Sequence, residues 1–178
     1  MKYAHPNRER RKLLAYGAGL MLFSWAWHRA SAEDEVQIQL AGTPNGSHVW
    51  YRPSGLLIEP GQAVRWINRD SANVHTITAY HPANRRPLRL PVQAKPWNSD
   101  YLMPGESFGW VFDLPGVYDY FCIPHEHAGM VGRIVVGQPS SLTEPYVDTN
   151  PLLPQAAVAS FPPLAEILAS APTPSEKG

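Results

Sequence analysis

The stretch Gly116–Gly132 reads GVYDYFCIPHEHAGMVG and contains Cys122, the one cysteine of the chain. Two residues separate Cys122 from His125, and four residues separate His125 from Met130. Aromatic and β-branched residues on both sides, at 116–121 and 130–136, predict two β-strands with this segment as the loop between them. A thiol, an imidazole and a thioether are therefore expected close together at one end of a strand pair.

A second histidine, His75, lies on another predicted strand, 47 residues before Cys122. A thiolate, two imidazoles and a weak axial thioether form the donor set of type 1 copper sites. A structural zinc site normally has more cysteines and a closed tetrahedral set. Bound copper would keep the lone thiol ionised and protect it from oxidation.

These residues resemble the copper loop of plastocyanin-type cupredoxins, including pseudoazurin-like and halocyanin-like members. Upstream, Ile58–Asn68 is similar to a strand pair of that family, and Asn73–Thr76 supplies the first histidine. The resemblance covers residues 35–137. The family pattern G-x-Y-x-[FY]-x-C-x-x-H-x-x-x-G-M-x-G is matched at Gly116, Tyr118, Tyr120, Cys122, His125, Gly129, Met130 and Gly132.

The resemblance implies that one copper ion is held by His75, Cys122 and His125 as equatorial ligands and by Met130 as the weak axial ligand. It also implies that Pro124 stiffens the loop. The sequence departs from the family at two positions. Thr76 stands where many members have asparagine after the first histidine, and Phe121 stands where plant plastocyanins have tyrosine before the cysteine.

Four other side chains offer donor atoms. His127 is the alternative to His125, but it would give the spacing C-x4-H-x2-M, whereas azurin-like loops have C-x4-H-x3-M. We therefore expect His127 to be an exposed loop residue near the copper edge. No metal role is expected for His48 or His81, and Met103 precedes a Pro-Gly turn and matches no motif.

Turn residues separate the other apolar runs of residues 33–137 at short intervals. This rhythm predicts an antiparallel sandwich or barrel, and the resemblance specifies an all-β, Greek-key cupredoxin sandwich of about eight strands. Residues 81–107 carry prolines and a small basic cluster and are predicted to be a long loop with at most one helical turn. The predicted strands are residues 36–40, 48–52, 56–58, 63–68, 74–80, 108–112, 116–121 and 130–136.

The two ends of the chain differ from this domain. Residues 1–32 have a basic start, an apolar run and an Ala-Ser-Ala site, which predict an export signal. Its Arg10-Arg11 pair is compatible with the twin-arginine or the Sec route.

Residues 138–178 hold eight of the 19 prolines and are predicted to be a flexible, partly extended tail. Within it, Phe161–Leu168 is apolar enough to pack on the domain, bind a partner or stay loose.

The balance of charges limits the possible partners. The whole chain has 15 basic and 15 acidic residues, but residues 1–32 hold six of the basic and one of the acidic ones. Removing them leaves 9 basic and 14 acidic residues, a net charge of −5. Such a chain has no basic excess for nucleic acid.

We therefore expect a periplasmic, monomeric electron carrier rather than an enzyme. Single electrons would pass by outer-sphere transfer through the edge of His125. Apolar loop residues such as Ala128 and Val131 would dock a redox partner, a cytochrome or a copper enzyme, in a transient contact. The membrane would be involved only through an uncleaved signal.

Two other functions use the same residues. The chain could deliver or store copper with the help of His81, His127 and the 81–107 loop. It could also be an accessory domain of a copper-dependent reductase or oxidase system. A two-copper centre of the oxidase kind would need a second cysteine, which the chain lacks.

Overall fold

The computed structural model describes residues 35–138, 145–146 and 150–170. The predicted export signal, residues 1–32, lies outside these described residues. None of the described helices combines the length and the hydropathy needed to cross a membrane. The strands are β1 (Val36–Gly42), β2 (Val49–Arg52), β3 (Gly55–Ile58), β4 (Gln62–Asn68), β5 (Thr78–Ala79), β6 (Ser107–Phe112), β7 (Gly116–Phe121) and β8 (Val131–Val136).

The eight strands form two four-stranded sheets that face each other. The first sheet has the order β2-β1-β4-β6, and the second has the order β3-β8-β7-β5. The predicted eight-stranded β-sandwich is confirmed. The expectation of purely antiparallel sheets is wrong, because β1 pairs in parallel with β4 and β3 pairs in parallel with β8. These partners are distant in sequence, and local turn signals do not reveal the pairing of strands that are not consecutive.

Each sheet contributes an apolar face to one shared core. In β1, Ile38 and Leu40 are buried whereas Gln37 and Gln39 are exposed, the alternation of a strand with one face on a core. At the centre, the ring of Trp66 from β4 meets the ring of Tyr120 from β7 edge to face, with centroids 5.5 Å apart. Aromatic pairs of this geometry stabilise a core beyond their burial alone.

The second sheet is buried on both faces. All six residues of β8 are buried, since the outer face is covered by the C-terminal helices α1 (Gln155–Ser160) and α2 (Leu164–Ala169). From α2, Leu164 and Ile167 pack against Val117 and Val135 of the sheet. The apolar patch at 161–168 therefore packs on the domain.

The expectation of a flexible, extended tail is thus wrong for residues 150–170. Ala157, Phe161, Leu164 and Ile167 recur every three or four residues, which is the spacing of one helix face. The prolines between them obscured this spacing because they end one short helix and begin the next. The boundary at residue 138 stays a prediction.

A cluster of buried charged side chains lies beneath the segment that contains the C-terminal helices. The Asp119 carboxylate accepts hydrogen bonds from Arg89 Nε at 2.8 Å and from Arg133 Nε at 2.7 Å. The Phe161 ring lies over both guanidinium groups, 4.3 Å from the Arg89 carbon and 5.4 Å from the Arg133 carbon. Cation–π contacts of this kind are strengthened by removal from water.

The 81–107 segment is a long loop, as predicted, with one 3-10 turn at Pro82–Asn84. It also contributes to the core, because Leu90, Trp97 and Leu102 are buried in it. The strand predicted at 74–80 is reduced to the two residues of β5. The Thr76 and Ile77 amides donate to Cys122 Sγ and Ser99 Oγ instead of to a neighbouring strand.

The covering role of the C-terminal helices is testable with two leucines of the same segment. Leu164 is 1% exposed and Leu152 is 64% exposed. We expect Leu164→Ala to lower the free energy of unfolding by about 2 to 5 kcal/mol because it leaves a cavity. Leu152→Ala should change it by less than about 0.5 kcal/mol. Urea unfolding measures both, and equal small losses would show that α2 does not stabilise the domain.

Candidate metal centre

The loop between β7 and β8, Cys122–Met130, is closed by hydrogen bonds among the residues predicted to bind metal. The Cys122 amide donates to the Met130 carbonyl at 3.0 Å, and the Met130 amide donates to the His125 carbonyl at 3.1 Å. The His125 amide in turn donates to the Cys122 carbonyl at 3.0 Å. Gly129 adopts a left-handed conformation with φ of 81°, which lets the 3-10 helix Ile123–Ala128 turn back into β8.

Three donor atoms converge at this loop. His75, Cys122 and His125 each offer one ligand atom, and these atoms all lie within 4.8 Å of one another. Cys122 Sγ is 3.6 Å from His75 Nδ1 and 3.4 Å from His125 Nδ1. Met130 is fully buried in the same core cluster as Cys122. The residues selected from the sequence are therefore brought to one end of the sandwich.

Asp70 fixes the orientation of the His75 ring. Its carboxylate accepts a hydrogen bond from His75 Nε2 at 3.0 Å, so the other nitrogen, Nδ1, is the unprotonated one facing the sulfur. The same carboxylate accepts from the amides of Ala72 and Asn73 and from the Asn73 side chain. A carboxylate behind a metal-binding imidazole holds the ring and raises its basicity.

Thr76 joins the two chain segments that carry the donors. Its amide donates to Cys122 Sγ at 3.3 Å, and its hydroxyl accepts from the Ile123 amide at 2.8 Å. The Thr76 carbonyl accepts from the Tyr51 hydroxyl at 2.6 Å. Threonine at this position therefore connects the His75 segment to the Cys122–Met130 loop through both its backbone and its side chain.

Burial sets the protonation of the donors in the metal-free protein. It raises the pKa of the Cys122 thiol to about 11, against the opposing effect of the Thr76 and His125 amides. Burial also lowers the pKa of His75, although the Asp70 hydrogen bond opposes this, and it lowers the pKa of His125. At neutral pH the site is thus a thiol with two neutral imidazoles, and a metal must displace the thiol proton when it binds.

Only part of the site reaches the surface. His75, Cys122 and Met130 are buried, whereas His125 is partly exposed. Ile123, Pro124 and Ala128 are exposed on the same loop. The expectation that Val131 helps to dock a partner is wrong, because Val131 is 2% exposed and is covered by Leu153 and Ala157.

The alternative donors lie apart from the converging atoms. His127 is exposed, and His81 caps the 3-10 turn by accepting the Ala83 amide at its Nδ1. His48 is exposed with its ring 5.1 Å from the Trp50 ring. Met103 is 54% exposed. In the described ranges, a single group of three or more such donors was found, the His75, Cys122 and His125 group.

Sequence reasoning missed Asp70 and Glu126, two buried carboxylates beside the donors. Asp70 precedes His75 by five residues, and Glu126 lies between two histidines of the loop. Neither spacing is a known signal for burial, since an acidic residue in a turn is usually exposed. Each is recognised only from its hydrogen-bond partners.

The donors fit copper better than the other common metals. A soft thiolate with two imidazoles and a neighbouring thioether is the set that copper prefers, and a closed zinc site would use a further thiolate or imidazole. Harder cations such as magnesium and calcium prefer oxygen ligands. The two buried carboxylates beside the donors are already bonded, Asp70 to His75 Nε2 and Asn73, and Glu126 to Tyr80 and Arg86.

The chain is similar to known copper proteins over the whole β-sandwich. A family model described as copper binding proteins of the plastocyanin/azurin family matches residues 37–137. A plastocyanin of Scenedesmus fuscus is 37% identical over 103 residues, which are 57% of this chain and 99% of the relative. A pseudoazurin of Methylorubrum extorquens is 28% identical over 108 residues, 60% of this chain and 65% of the relative.

A solved pseudoazurin structure from Sinorhizobium meliloti shares the fold. It superimposes with a TM-score of 0.56 over 77% of this chain and 98% of that chain, at 24% identity. The superposition covers more of this chain than residues 37–137, so the similarity in fold is not limited to the strands of the sandwich.

The role of Asp70 is testable by removing its charge. Asn in its place has one oxygen instead of two to accept four hydrogen bonds, so we expect Asp70→Asn to weaken metal binding about 10- to 100-fold. Glu59→Gln removes an equal charge at an exposed turn and serves as the control. Competition with a calibrated chelator measures both affinities. Equal affinities in the two variants would show that the Asp70–His75 hydrogen bond does not support the site.

Proposed function

The chain belongs to the plastocyanin/azurin family of copper binding proteins, and on that premise we propose that it carries single electrons between redox partners outside the cytoplasm. One observation supports this most strongly. Two imidazoles and a thiol converge where, of these donors, only His125 is partly exposed, and Met130 is buried in the same core cluster as Cys122. A closed donor set with one exposed edge suits electron transfer rather than binding of a substrate.

The proposed ligands are His75 through Nδ1, Cys122 through Sγ, His125 through Nδ1 and Met130 as a weak axial ligand. Copper bound there would supply a one-electron couple between Cu(I) and Cu(II). The protein contributes a donor set held by the backbone bonds of the Cys122–Met130 loop and by Asp70. Because the donors are held in this way, the site would rearrange little when bound copper gains or loses an electron.

The exposed edge of His125 is the proposed path for the electron. Ile123, Pro124 and Ala128 are exposed on the same loop and provide small or apolar side chains within three residues of it. A small apolar contact of this kind is typical of brief redox encounters. We propose that the protein is a monomer and that the partner is another redox protein, such as a cytochrome or a copper enzyme.

The burial of the donors supports the carrier over a delivery or storage protein. A protein that hands copper to a partner needs donors that the partner can reach, and His75, Cys122 and Met130 are all fully buried. Four protein donors also leave no open position for a substrate, which supports a function without catalysis. The histidines that a storage function would add, His81 and His127, lie apart from the donor group.

Loading with copper tests the proposed function directly. Metal-free protein given one equivalent of Cu(II) should develop an intense thiolate-to-copper absorption in the visible and a narrow copper hyperfine splitting in its EPR spectrum. Cys122→Ser should lose both, because the charge-transfer band needs the thiolate. His127→Ala should keep both. A colourless adduct, or several copper ions per chain, would contradict the carrier and favour storage.

Export is proposed from the N-terminal sequence. Residues 1–32 combine the basic, apolar and small-residue parts of a signal, and removal would leave a chain that begins at Glu33. Intact mass of the protein recovered from the extracytoplasmic fraction should match residues 33–178. Replacing both Arg10 and Arg11 by Lys should block export if the twin-arginine route is used and have little effect on the Sec route. Full-length protein in the cytoplasm would contradict export.

A further inference from the structure

A buried carboxylate lies in the middle of the Cys122–Met130 loop. Glu126 follows His125 directly and is 0% exposed, although its neighbours Pro124, His127 and Ala128 are all exposed. A carboxylate loses hydration when it is buried, so it needs strong partners to remain there. Its position beside a partly exposed metal donor therefore calls for an explanation.

The partners of Glu126 come from outside the loop. Arg86 donates from Nε to both carboxylate oxygens at 3.0 and 2.9 Å, and from Nη2 to Oε2 at 2.6 Å. The Tyr80 hydroxyl donates to Oε1 at 2.9 Å. Forked, charge-assisted bonds of this type fix direction as well as distance.

Arg86 also reaches the residue before the cysteine. Its guanidinium carbon lies 5.2 Å from the centre of the Phe121 ring, and that ring packs against the Tyr80 ring with centroids 4.6 Å apart. Arg86 belongs to the 81–107 loop, for which the proposed electron-carrier function provides no role. One side chain of that loop thus contacts the Cys122–Met130 loop at its middle and next to its start.

Helix α1 also packs against this loop. At Gly129, an added Cβ would lie 2.5 Å from Ser160 Oγ and 3.1 Å from the Ala156 carbonyl oxygen. The loop is therefore in contact both with α1, at Gly129, and with the Tyr80–Arg86 pair, at Glu126. The Glu126 carbonyl accepts the Gly129 amide at 3.0 Å, so the anchored residue is tied to the turn that leads into Met130.

We propose that Glu126 is a positioning residue that holds His125 at its place through the bonds to Arg86 and Tyr80. This role rests on the proposed function, because electron transfer requires a His125 that does not move, and we assign that restraint to Glu126. The carboxylate fixes the peptide that follows His125, and the His125 carbonyl accepts the Met130 amide at 3.1 Å. Loss of the Glu126 contacts should weaken the hydrogen bond between the Met130 amide and the His125 carbonyl more than it lowers the stability of the whole domain.

The test compares two neighbouring arginines. Arg86→Gln removes the fork on Glu126, whereas Arg85→Gln removes an equal charge from an exposed side chain one residue away. Glu126→Gln removes the charge of the acceptor with little change in volume. Leu164 belongs to a different hydrophobic cluster. Leu164→Ala therefore serves as a control for the effect of lower domain stability without loss of the Glu126 contacts.

Hydrogen exchange of the Met130 amide in the metal-free protein is the first readout. We expect Arg86→Gln and Glu126→Gln to exchange at least about tenfold faster than the wild type after correction for global stability. Arg85→Gln and Leu164→Ala should then match the wild type. If all four variants exchange alike after this correction, the proposal is overturned.

The copper-loaded protein gives the second readout. We expect Arg86→Gln and Glu126→Gln to alter the copper hyperfine splitting in EPR spectra, and Arg85→Gln to leave it unchanged. Unchanged spectra in the first two variants would overturn the proposal, because a displaced His125 must alter the copper environment. If the wild type binds no copper, the proposed function fails while the exchange experiment still decides whether Glu126 holds the loop.

Discussion

The backbone hydrogen bonds among Cys122, His125 and Met130 are the constraint on which the rest of the site depends. They fix the relative positions of three different donor residues in one short loop. Because the bonds use only backbone atoms, the donor side chains remain available to a metal. A loop of this kind needs strands on both sides that cannot shift. β7 and β8 provide them, because they pair over their whole length and the second sheet is buried on both faces.

The second half of the site is attached to this loop by polar contacts. Thr76 binds the Cys122 sulfur and the Ile123 amide. Asn68 donates to the carbonyl of Asn73, two residues before His75, and to that of Leu102, which pairs with His75 in an isolated bridge. His75 is therefore held by side chains and isolated bridges where a longer strand was expected. Loss of a regular ladder at this point is what allows an amide to reach the sulfur.

The sequence predicted the strands well and grouped residues that the structure brings together, but it predicted the supporting contacts poorly. The role of these residues as metal ligands stays a prediction. Cys122, His125 and Met130 are close in sequence, and turn signals separate short β-branched runs, so local patterns were sufficient for both. The contact of Arg86 with Glu126 joins segments 40 residues apart. Asp70 precedes His75 by only five residues, but this spacing does not by itself indicate a hydrogen bond between them. The C-terminal helices were missed because each has six residues and prolines interrupt their apolar spacing.

We conclude that the folded chain positions the donors before any metal binds. Atomic-resolution crystal structures of the metal-free and Cu(I)-loaded protein test this most directly. The prediction is that His75 Nδ1, Cys122 Sγ and His125 Nδ1 shift by less than about 0.5 Å between the two, the tolerance expected of a preorganised site. A metal-free structure in which His125 is turned away, or in which the Cys122–Met130 hydrogen bond is broken, would contradict it.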